Sequence, residues 1–137
     1  MPEIRGLLET ALYVEDLERA AEFYERLFRF SRLYEEPRLI ALEIPGRQIL
    51  LLFHKGASSG QNVVPGGVIP PHDGYGRLHL AFAIEATEYD KWKEYLTDNG
   101  IAIESEVIGA LGGHSLYFRD PDQNLVELGT PGLWKIY

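Results

Sequence analysis

Cysteine is absent from the chain, which excludes disulfides, zinc–thiolate sites and cysteine nucleophiles. Basic residues are few, since 13 Lys and Arg stand against 21 Asp and Glu and the net charge is −8. This balance argues against binding to nucleic acid or to an anionic membrane surface, because both need clustered positive charge. No apolar run approaches the ~20 residues of a membrane-spanning helix. Residues 1–6 lack the apolar core of a secretory signal, so a cytoplasmic protein is expected.

One pattern occurs twice in the sequence. Residues 8–15 and 78–85 both alternate apolar side chains with period two, which predicts two strands related by an offset of 70 residues. A helical pattern follows each strand, with apolar side chains spaced three and then four apart on one helix face. These side chains are Ala20, Phe23 and Leu27 in the first helix and Tyr89, Trp92 and Leu96 in the second. Asp16 and Thr87 are the predicted N-caps.

Each half then continues with two apolar runs joined by turn residues, which predicts a β-hairpin. The runs are 39–44 and 48–53 in the first half, and 115–119 and 124–128 in the second. Weaker strand patterns precede them near 30–34 and 101–107. Each half therefore has the order β-α-β-β-β.

The predicted fold class is α+β, with the two modules pairing into a cupped mixed sheet and the helices outside. A length of 137 residues favours a single domain. Module one is expected at about 7–55 and module two at about 77–130. The connecting segment 56–76 has no hydrophobic period and is rich in glycine and proline. Such a segment is either a linker or a loop that also covers a ligand site.

Three ionisable residues interrupt apolar strands: Glu9, His79 and Glu127. Burial of such groups is costly unless they are paired or bind a metal. Taken singly, each has an ordinary interpretation, as a solvated carboxylate or a hydrogen-bonded core histidine. The repeat, however, makes Glu9 equivalent to His79, and alignment of the hairpins makes Leu51 the counterpart of Glu127. A two-fold arrangement of the modules would bring the four positions toward one centre, which suggests a shared site.

The same residues carry a family resemblance. Residues 9–20, ETALYVEDLERA, followed by Phe23-Tyr24, resemble the opening motif of the glyoxalase/bleomycin resistance protein/dioxygenase (vicinal oxygen chelate) superfamily. Residues 115–128, SLYFRDPDQNLVEL, resemble its closing motif, which is the more specific of the two. The resemblance implies paired β-α-β-β-β modules around a divalent metal, whose ligand positions fall on Glu9, His79 and Glu127. Many members are dimers, so a homodimer is expected.

Some positions depart from the family pattern. The first ligand is usually His, whereas this chain has Glu9, and Leu51 lies near the position where the glyoxalase I branch has a fourth, acidic ligand. Gln123 stands in the second hairpin where Gly is common. Two carboxylates and one imidazole suit Mn²⁺, Fe²⁺, Ni²⁺ or Mg²⁺ as readily as Zn²⁺. Three protein ligands leave positions for water or substrate oxygens, as catalysis requires.

The leading hypothesis is a divalent-metal-dependent, glyoxalase-like enzyme of the lyase, isomerase or transferase class. It would act on a small oxygenated substrate, with Glu127 as its catalytic carboxylate. One alternative is a metal-free drug- or metabolite-binding protein of the bleomycin-resistance type. A second is an extradiol-type dioxygenase, against which Glu9 counts because that branch uses two histidines and one glutamate.

Four residues are candidates for contact with the substrate. Tyr13 shares the strand face of Glu9 by alternation, and Tyr117 is placed in the same cup. His72 lies in the connecting segment, and His114 follows a glycine pair at the start of a predicted strand. The alternative for Tyr13 is core packing, and for the two histidines it is a solvated position.

Overall fold

The chain divides into two units, Met1–Tyr75 and Gly76–Tyr137, in a computed structural model that describes all 137 residues. Each unit contains one four-stranded sheet with parallel and antiparallel pairs, so the predicted α+β class is confirmed. The boundary between the units falls inside the predicted connecting segment. The pairing of the modules and the single domain stay predictions. No helix is long and apolar enough to cross a membrane.

Unit one has the predicted β-α-β-β-β order, followed by a small hairpin. Its elements are β1 (Glu9–Val14), α1 (Leu17–Phe28), β2 (Ser31–Glu36), β3 (Leu39–Ile44), β4 (Gln48–His54), β5 (Asn62–Val64) and β6 (Gly67–Ile69). The sheet order is β1-β4-β3-β2, in which β1 runs parallel to β4 and the other pairs are antiparallel. The second strand of each predicted hairpin therefore lies at the centre of its sheet beside the first strand of the module.

The helix α1 begins where its sequence predicts. The Asp16 carboxylate accepts a hydrogen bond of 3.0 Å from the backbone N–H of Arg19, which confirms the predicted cap. The helix packs on β3 and β4. Strand alternation buries Leu12 and Val14 on one face of β1, and Glu9 and Tyr13 project from the other. Glu9 and Tyr13 are therefore held on the face of β1 opposite to Leu12 and Val14.

The sequence predicted that the connecting segment is a linker or a loop. In the structure it also contains the β5–β6 hairpin. Each strand is only three residues long, and Val63 and Val68 are largely exposed. A hydrophobic period cannot emerge from strands this short with side chains that are not buried. The loop after β6 continues through His72 and Gly74 toward the end of unit one.

Unit two repeats the order of unit one. Its elements are β7 (His79–Ala83), a 3₁₀ turn (Ala86–Glu88), α2 (Tyr89–Asp98), β8 (Ser105–Ile108), β9 (His114–Arg119) and β10 (Leu125–Gly129). The sheet order is β7-β10-β9-β8, again with the first strand parallel to the last. The predicted cap at Thr87 is wrong, because the chain enters α2 through the 3₁₀ turn and Glu88 precedes the helix without a side-chain cap. Gly100 follows the helix at a φ of 71°, a left-handed conformation that glycine adopts readily.

The strand registers make the repeat explicit. In unit one, Glu9 pairs with Ile49, and Leu51 pairs with the residue two positions after Glu9 on β1. In unit two, His79 pairs with Leu125, and Glu127 pairs with the residue two beyond His79 on β7. Glu9 therefore corresponds to His79, and Leu51 to Glu127, as the sequence alignment predicted.

Candidate metal and ligand sites

His79 and Glu127 form a pair on one face of the sheet of unit two. His79 Nε2 lies 3.2 Å from Glu127 Oε2. The other ring nitrogen, Nδ1, lies 3.0 Å from the backbone carbonyl oxygen of Leu125. Because a carbonyl can only accept, Nδ1 carries the proton, and in the neutral ring Nε2 presents a lone pair. The parallel β7–β10 register, which pairs His79 with Leu125, sets this tautomer.

In the neutral form of the ring, two electron-rich atoms face each other across 3.2 Å. A lone pair and a carboxylate at this distance repel unless a proton or a cation neutralises them. Metal-binding histidines usually donate their second N–H to a carbonyl or carboxylate, as His79 does to Leu125. The donor chemistry of the pair therefore fits a divalent cation, with His79 Nε2 and a Glu127 oxygen as ligands. The His79 side chain is 50% exposed, so the pair is accessible.

The carboxylate of Glu127 is held in place from its other oxygen. Glu127 is only 9% exposed, and the hydroxyl of Ser115 donates to Oε1 at 2.5 Å. Ser115 is itself 1% exposed and lies on β9 beside Glu127. Its hydrogen bond leaves Oε2 as the oxygen that faces His79. Sequence reasoning missed Ser115, although alternation from Tyr117 places it on the Glu127 face.

Tyr117 lies directly opposite Glu127 in the β9–β10 register. Its ring centroid is 6.4 Å from that of His79. Burial raises the pKa of Tyr117, and the negative charge of Glu127 adds to this effect. The phenol, whose ordinary pKa is 10.0, therefore keeps its proton at neutral pH, and its hydroxyl lies close to the side chains of Ser115 and Glu127. The predicted contact of Tyr117 with the substrate stays a prediction.

His114 lies on the face of β9 opposite to Tyr117. It alternates in phase with Leu116 and Phe118, both fully buried, whereas Ser115 and Tyr117 point to the Glu127 side. The ring of His114 packs edge-on against Tyr89, with centroids 5.0 Å apart. The structure therefore does not bring His114 to the His79–Glu127 pair, and its position gives no support to the predicted substrate contact.

Unit one contains a cavity of about 630 Å³ on the sheet face that carries Glu9. Its floor is apolar and consists of Ala11, Leu39, Ala41, Ile49, Leu51 and Phe53. Glu9 lines one end, and Arg38 and His72 line the other. A cavity of this volume, with an apolar floor and a few polar groups at its ends, is typical of small-molecule sites. Ile69 and His72 belong to the connecting segment, so part of that segment borders the cavity.

Tyr13 contacts His72, which lines this cavity, but is not itself part of the lining. The Tyr13 hydroxyl lies 2.8 Å from His72 Nδ1, and the His72 ring packs edge-on against Phe53 at 4.6 Å. Burial raises the pKa of Tyr13, and the nearby charge of Asp73 raises it further. A Cβ added to Gly74 would lie only 2.4 Å from the Tyr13 ring, so the loop backbone passes directly over that ring. This close approach requires glycine.

The structure therefore brings together some of the predicted site residues in two groups. His79, Glu127 and Tyr117 are neighbours in unit two, and Glu9, Tyr13 and His72 belong to unit one. No group of three or more His, Asp or Glu side chains is gathered closely enough to hold a metal ion. The His79–Glu127 pair is the most developed metal-type arrangement in the chain.

A repeated β-α-β-β-β unit with an ionisable residue at the same position of each first strand defines an α+β protein of two equivalent modules. The family model described as Glyoxalase/Bleomycin resistance protein/Dioxygenase superfamily matches residues 6–128. The chain belongs to this superfamily.

Several named proteins are similar to the chain. The crystal structure of a lactoylglutathione lyase from Agrobacterium tumefaciens is 34% identical, with a TM-score of 0.89 over 98% of this chain and 99% of that one. Metallothiol transferase FosB of Staphylococcus saprophyticus is 27% identical over 93% of this chain and 78% of its own. Fosfomycin resistance protein FosX of Listeria innocua is 29% identical over 91% of this chain and 89% of its own. Two of these names denote enzymes, one of them a metallothiol transferase.

Proposed function

We propose that the protein is a divalent-metal-dependent, glyoxalase-like enzyme that acts on a small oxygenated substrate. The observation that carries this proposal is the His79–Glu127 pair, in which Nε2 of the imidazole and Oε2 of the carboxylate lie 3.2 Å apart. The enzymatic names of the similar lyase and transferase support the same class. The reaction is of the lyase, isomerase or transferase type.

The proposed ligands are Glu9, His79 and Glu127. Glu9 is included because it is the repeat equivalent of His79 and occupies the first ligand position of the superfamily motif. Two carboxylates would neutralise the charge of Mn²⁺, Fe²⁺, Ni²⁺, Mg²⁺ or Zn²⁺, and the set does not select among them. When bound, such an ion supplies Lewis-acid polarisation of a substrate oxygen.

The chain's own residues would orient these groups and handle protons. The Leu125 carbonyl fixes the ring of His79, and Ser115 fixes one oxygen of Glu127. The carboxylate of Glu127 can accept a proton from a substrate carbon or oxygen on a lone pair that the metal does not occupy, which is the catalytic role proposed for it. Tyr117 keeps its proton and can donate to a substrate oxygen. Tyr13 and His72 would contact the substrate in the cavity of unit one.

Metal titration tests the proposal. Purified protein is freed of metal and titrated by calorimetry with Mn²⁺, Fe²⁺, Ni²⁺ and Zn²⁺. Binding of one ion per chain is expected, and Glu127→Gln should weaken it because the substitution removes a charge but keeps the shape. Affinity should also fall with pH through the imidazole range, since a ligating histidine must be neutral. Glu22→Gln, on the exposed side of α1, is the matched control and should leave binding unchanged.

The proposal is contradicted if the wild-type protein binds no more metal than the triple Glu9→Ala, His79→Ala, Glu127→Ala variant. One observation would then favour the metal-free binding protein. The cavity of unit one has an apolar floor, and Leu51 stands where unit two has Glu127. Such a cavity can hold a small molecule without metal.

We also propose a homodimer in the cytoplasm, on the resemblance and composition described above. Large exposed side chains give the dimer a physical basis, since Ile4, Leu8, Trp134 and Ile136 are more than half exposed. Light scattering that finds only a 15.5 kDa species at micromolar concentration would contradict the dimer.

A further inference from the structure

Apart from Tyr34, whose hydroxyl donates to Glu36, the polar side chains that line the cavity of unit one lie at its ends. Its floor presents Leu39, Leu51 and Phe53 to the interior. Glu9 and Tyr13 lie at opposite ends of one face of β1, four residues apart, which corresponds to about 13 Å at the rise of an extended strand. Each end therefore offers different chemistry to a single elongated molecule.

We propose that this cavity binds an uncharged, largely apolar molecule, aryl or alicyclic, that carries a hydrogen-bond-accepting oxygen held by His72. The body of the molecule lies on the apolar floor, and its oxygen accepts from His72 Nε2. This assignment rests on the proposed function only for the end at Glu9, where a second oxygen would approach the metal. Binding of the apolar body and of the oxygen at His72 depends on unit one alone.

The donor role of His72 follows from its contact with Tyr13. The Tyr13 hydroxyl has no hydrogen-bond partner other than His72 Nδ1, at 2.8 Å. Among protein groups, only Nδ1 can accept the Tyr13 proton, and when it does so the imidazole proton of the neutral ring is on Nε2. No protein group hydrogen-bonds to Nε2. The backbone N–H of His72 donates to the Ser58 carbonyl at 2.9 Å, which anchors the loop and hence the ring.

The charges of the cavity disfavour an anionic ligand. Arg38 is the only Lys or Arg in its lining, and its guanidinium is already engaged. It forms an ion pair of 3.0 Å with Glu36 and donates at 2.9 Å to the buried hydroxyl of Ser58. Its guanidinium carbon also lies 5.3 Å from the centre of the Phe53 ring. The positive charge is therefore neutralised and held in place, while Glu9 adds a negative charge at the far end.

Three naphthalenes of nearly equal shape test this assignment. Acetylnaphthalene offers an uncharged acceptor oxygen, naphthoate offers an anionic carboxylate, and isopropylnaphthalene offers no acceptor. Each is titrated into metal-free, full-length protein and followed by the amide resonances of β3 and β4 in two-dimensional NMR. Acetylnaphthalene should shift these resonances and bind at least about tenfold more tightly than naphthoate, which corresponds to about 1.4 kcal/mol.

Substitution of His72 identifies the acceptor contact. His72→Leu should weaken acetylnaphthalene about fivefold to tenfold, the usual value of one hydrogen bond, and leave isopropylnaphthalene unchanged. His72→Gln retains an N–H donor and should recover part of the loss. His54→Leu is the matched control, because His54 is exposed at the end of β4 and does not line the cavity.

The assignment is overturned if naphthoate binds as tightly as acetylnaphthalene, if none of the three probes shifts β3 or β4, or if His72→Leu weakens all probes equally. Circular dichroism of each variant verifies folding. Because the titrations use metal-free protein, their failure is distinct from failure of the metal proposal. Probe binding without metal binding would leave this inference intact and remove the proposed enzyme.

Discussion

Removal of the Ser115 hydroxyl probes the carboxylate that the proposed site depends on. In the wild type, Ser115 donates to Glu127 Oε1 at 2.5 Å, with the serine 1% and the glutamate 9% exposed. Ser115→Ala leaves a buried carboxylate oxygen without its donor, and water has little access to replace it. Hydrogen bonds to charged groups contribute about 1.5–3 kcal/mol, so the variant should lose about that much unfolding free energy.

The same substitution should act on the metal. A group that orients a ligand typically changes metal affinity by about 10- to 100-fold, and Ser115 is such a group for Glu127. Urea denaturation measures the stability, and calorimetric titration with Mn²⁺ or Ni²⁺ measures the affinity. Ser105→Ala on the exposed strand β8 is the matched control and should change stability by less than about 0.5 kcal/mol. A Ser115→Ala variant that is as stable as the wild type and binds metal equally well would refute the reasoning.

Three further predictions concern the scaffold. Gln123 has a φ of 67° in the turn before β10, a left-handed conformation that strains a residue with a side chain. Gln123→Gly should therefore raise the unfolding free energy, measured in urea, by about 0.5–1 kcal/mol. A loss of stability would show that the backbone at this position is not strained. Gly74→Ala places a Cβ 2.4 Å from the Tyr13 ring and should lower the unfolding free energy by about 1–3 kcal/mol in the same assay. An unchanged denaturation midpoint would mean that the loop moves away from the ring without loss of stability. Arg32 donates to Glu18, Glu25 and Glu35, and its hydrogen bonds lower the pKa of Glu18. A lowered carboxylate pKa gives stability that is present above the ordinary value of 4.5 and is lost as pH falls through the folded value. Thermal melts should therefore show a steeper acid loss for the wild type than for Arg32→Met, and equal slopes would contradict this network.

Much of the fold could be predicted because its strands have a clear period. The run 39–44 is apolar except for Glu43 and coincides with β3, Leu39–Ile44, whereas residues 8–15 alternate and contain β1. The equivalence of Glu9 with His79 also followed from the sequence, since both interrupt an apolar strand that precedes a helical pattern and the two strands are offset by 70 residues. The β5–β6 hairpin could not be predicted, because three exposed residues carry no period. The helix α2 begins later than its predicted cap at Thr87 because a 3₁₀ turn precedes it, and no residue pattern in the sequence predicts that turn.

In the candidate site, too, some features could be predicted from the sequence and others could not. Glu127 was recognisable as a charge between buried neighbours, and His114 could have been placed on the other face by counting from Leu116. The tautomer of His79 was beyond reach, because it depends on a backbone carbonyl that only the parallel β7–β10 register brings to Nδ1. The Tyr13–His72 contact joins residues 59 apart through the loop that follows β6. Such contacts depend on tertiary structure and leave no local pattern.

Nitrogen NMR of the histidine side chains tests the central claim most directly. The chain has four histidines, and only His79 is a proposed ligand. On addition of Zn²⁺ to metal-free protein, we predict that His79 Nε2 alone moves to the chemical shift of a metal-bound nitrogen. Its Nδ1 should remain protonated, because it donates to the Leu125 carbonyl. His54, His72 and His114 should keep their shifts. A spectrum in which His79 does not respond, or in which its Nδ1 binds the metal, would contradict the proposed site.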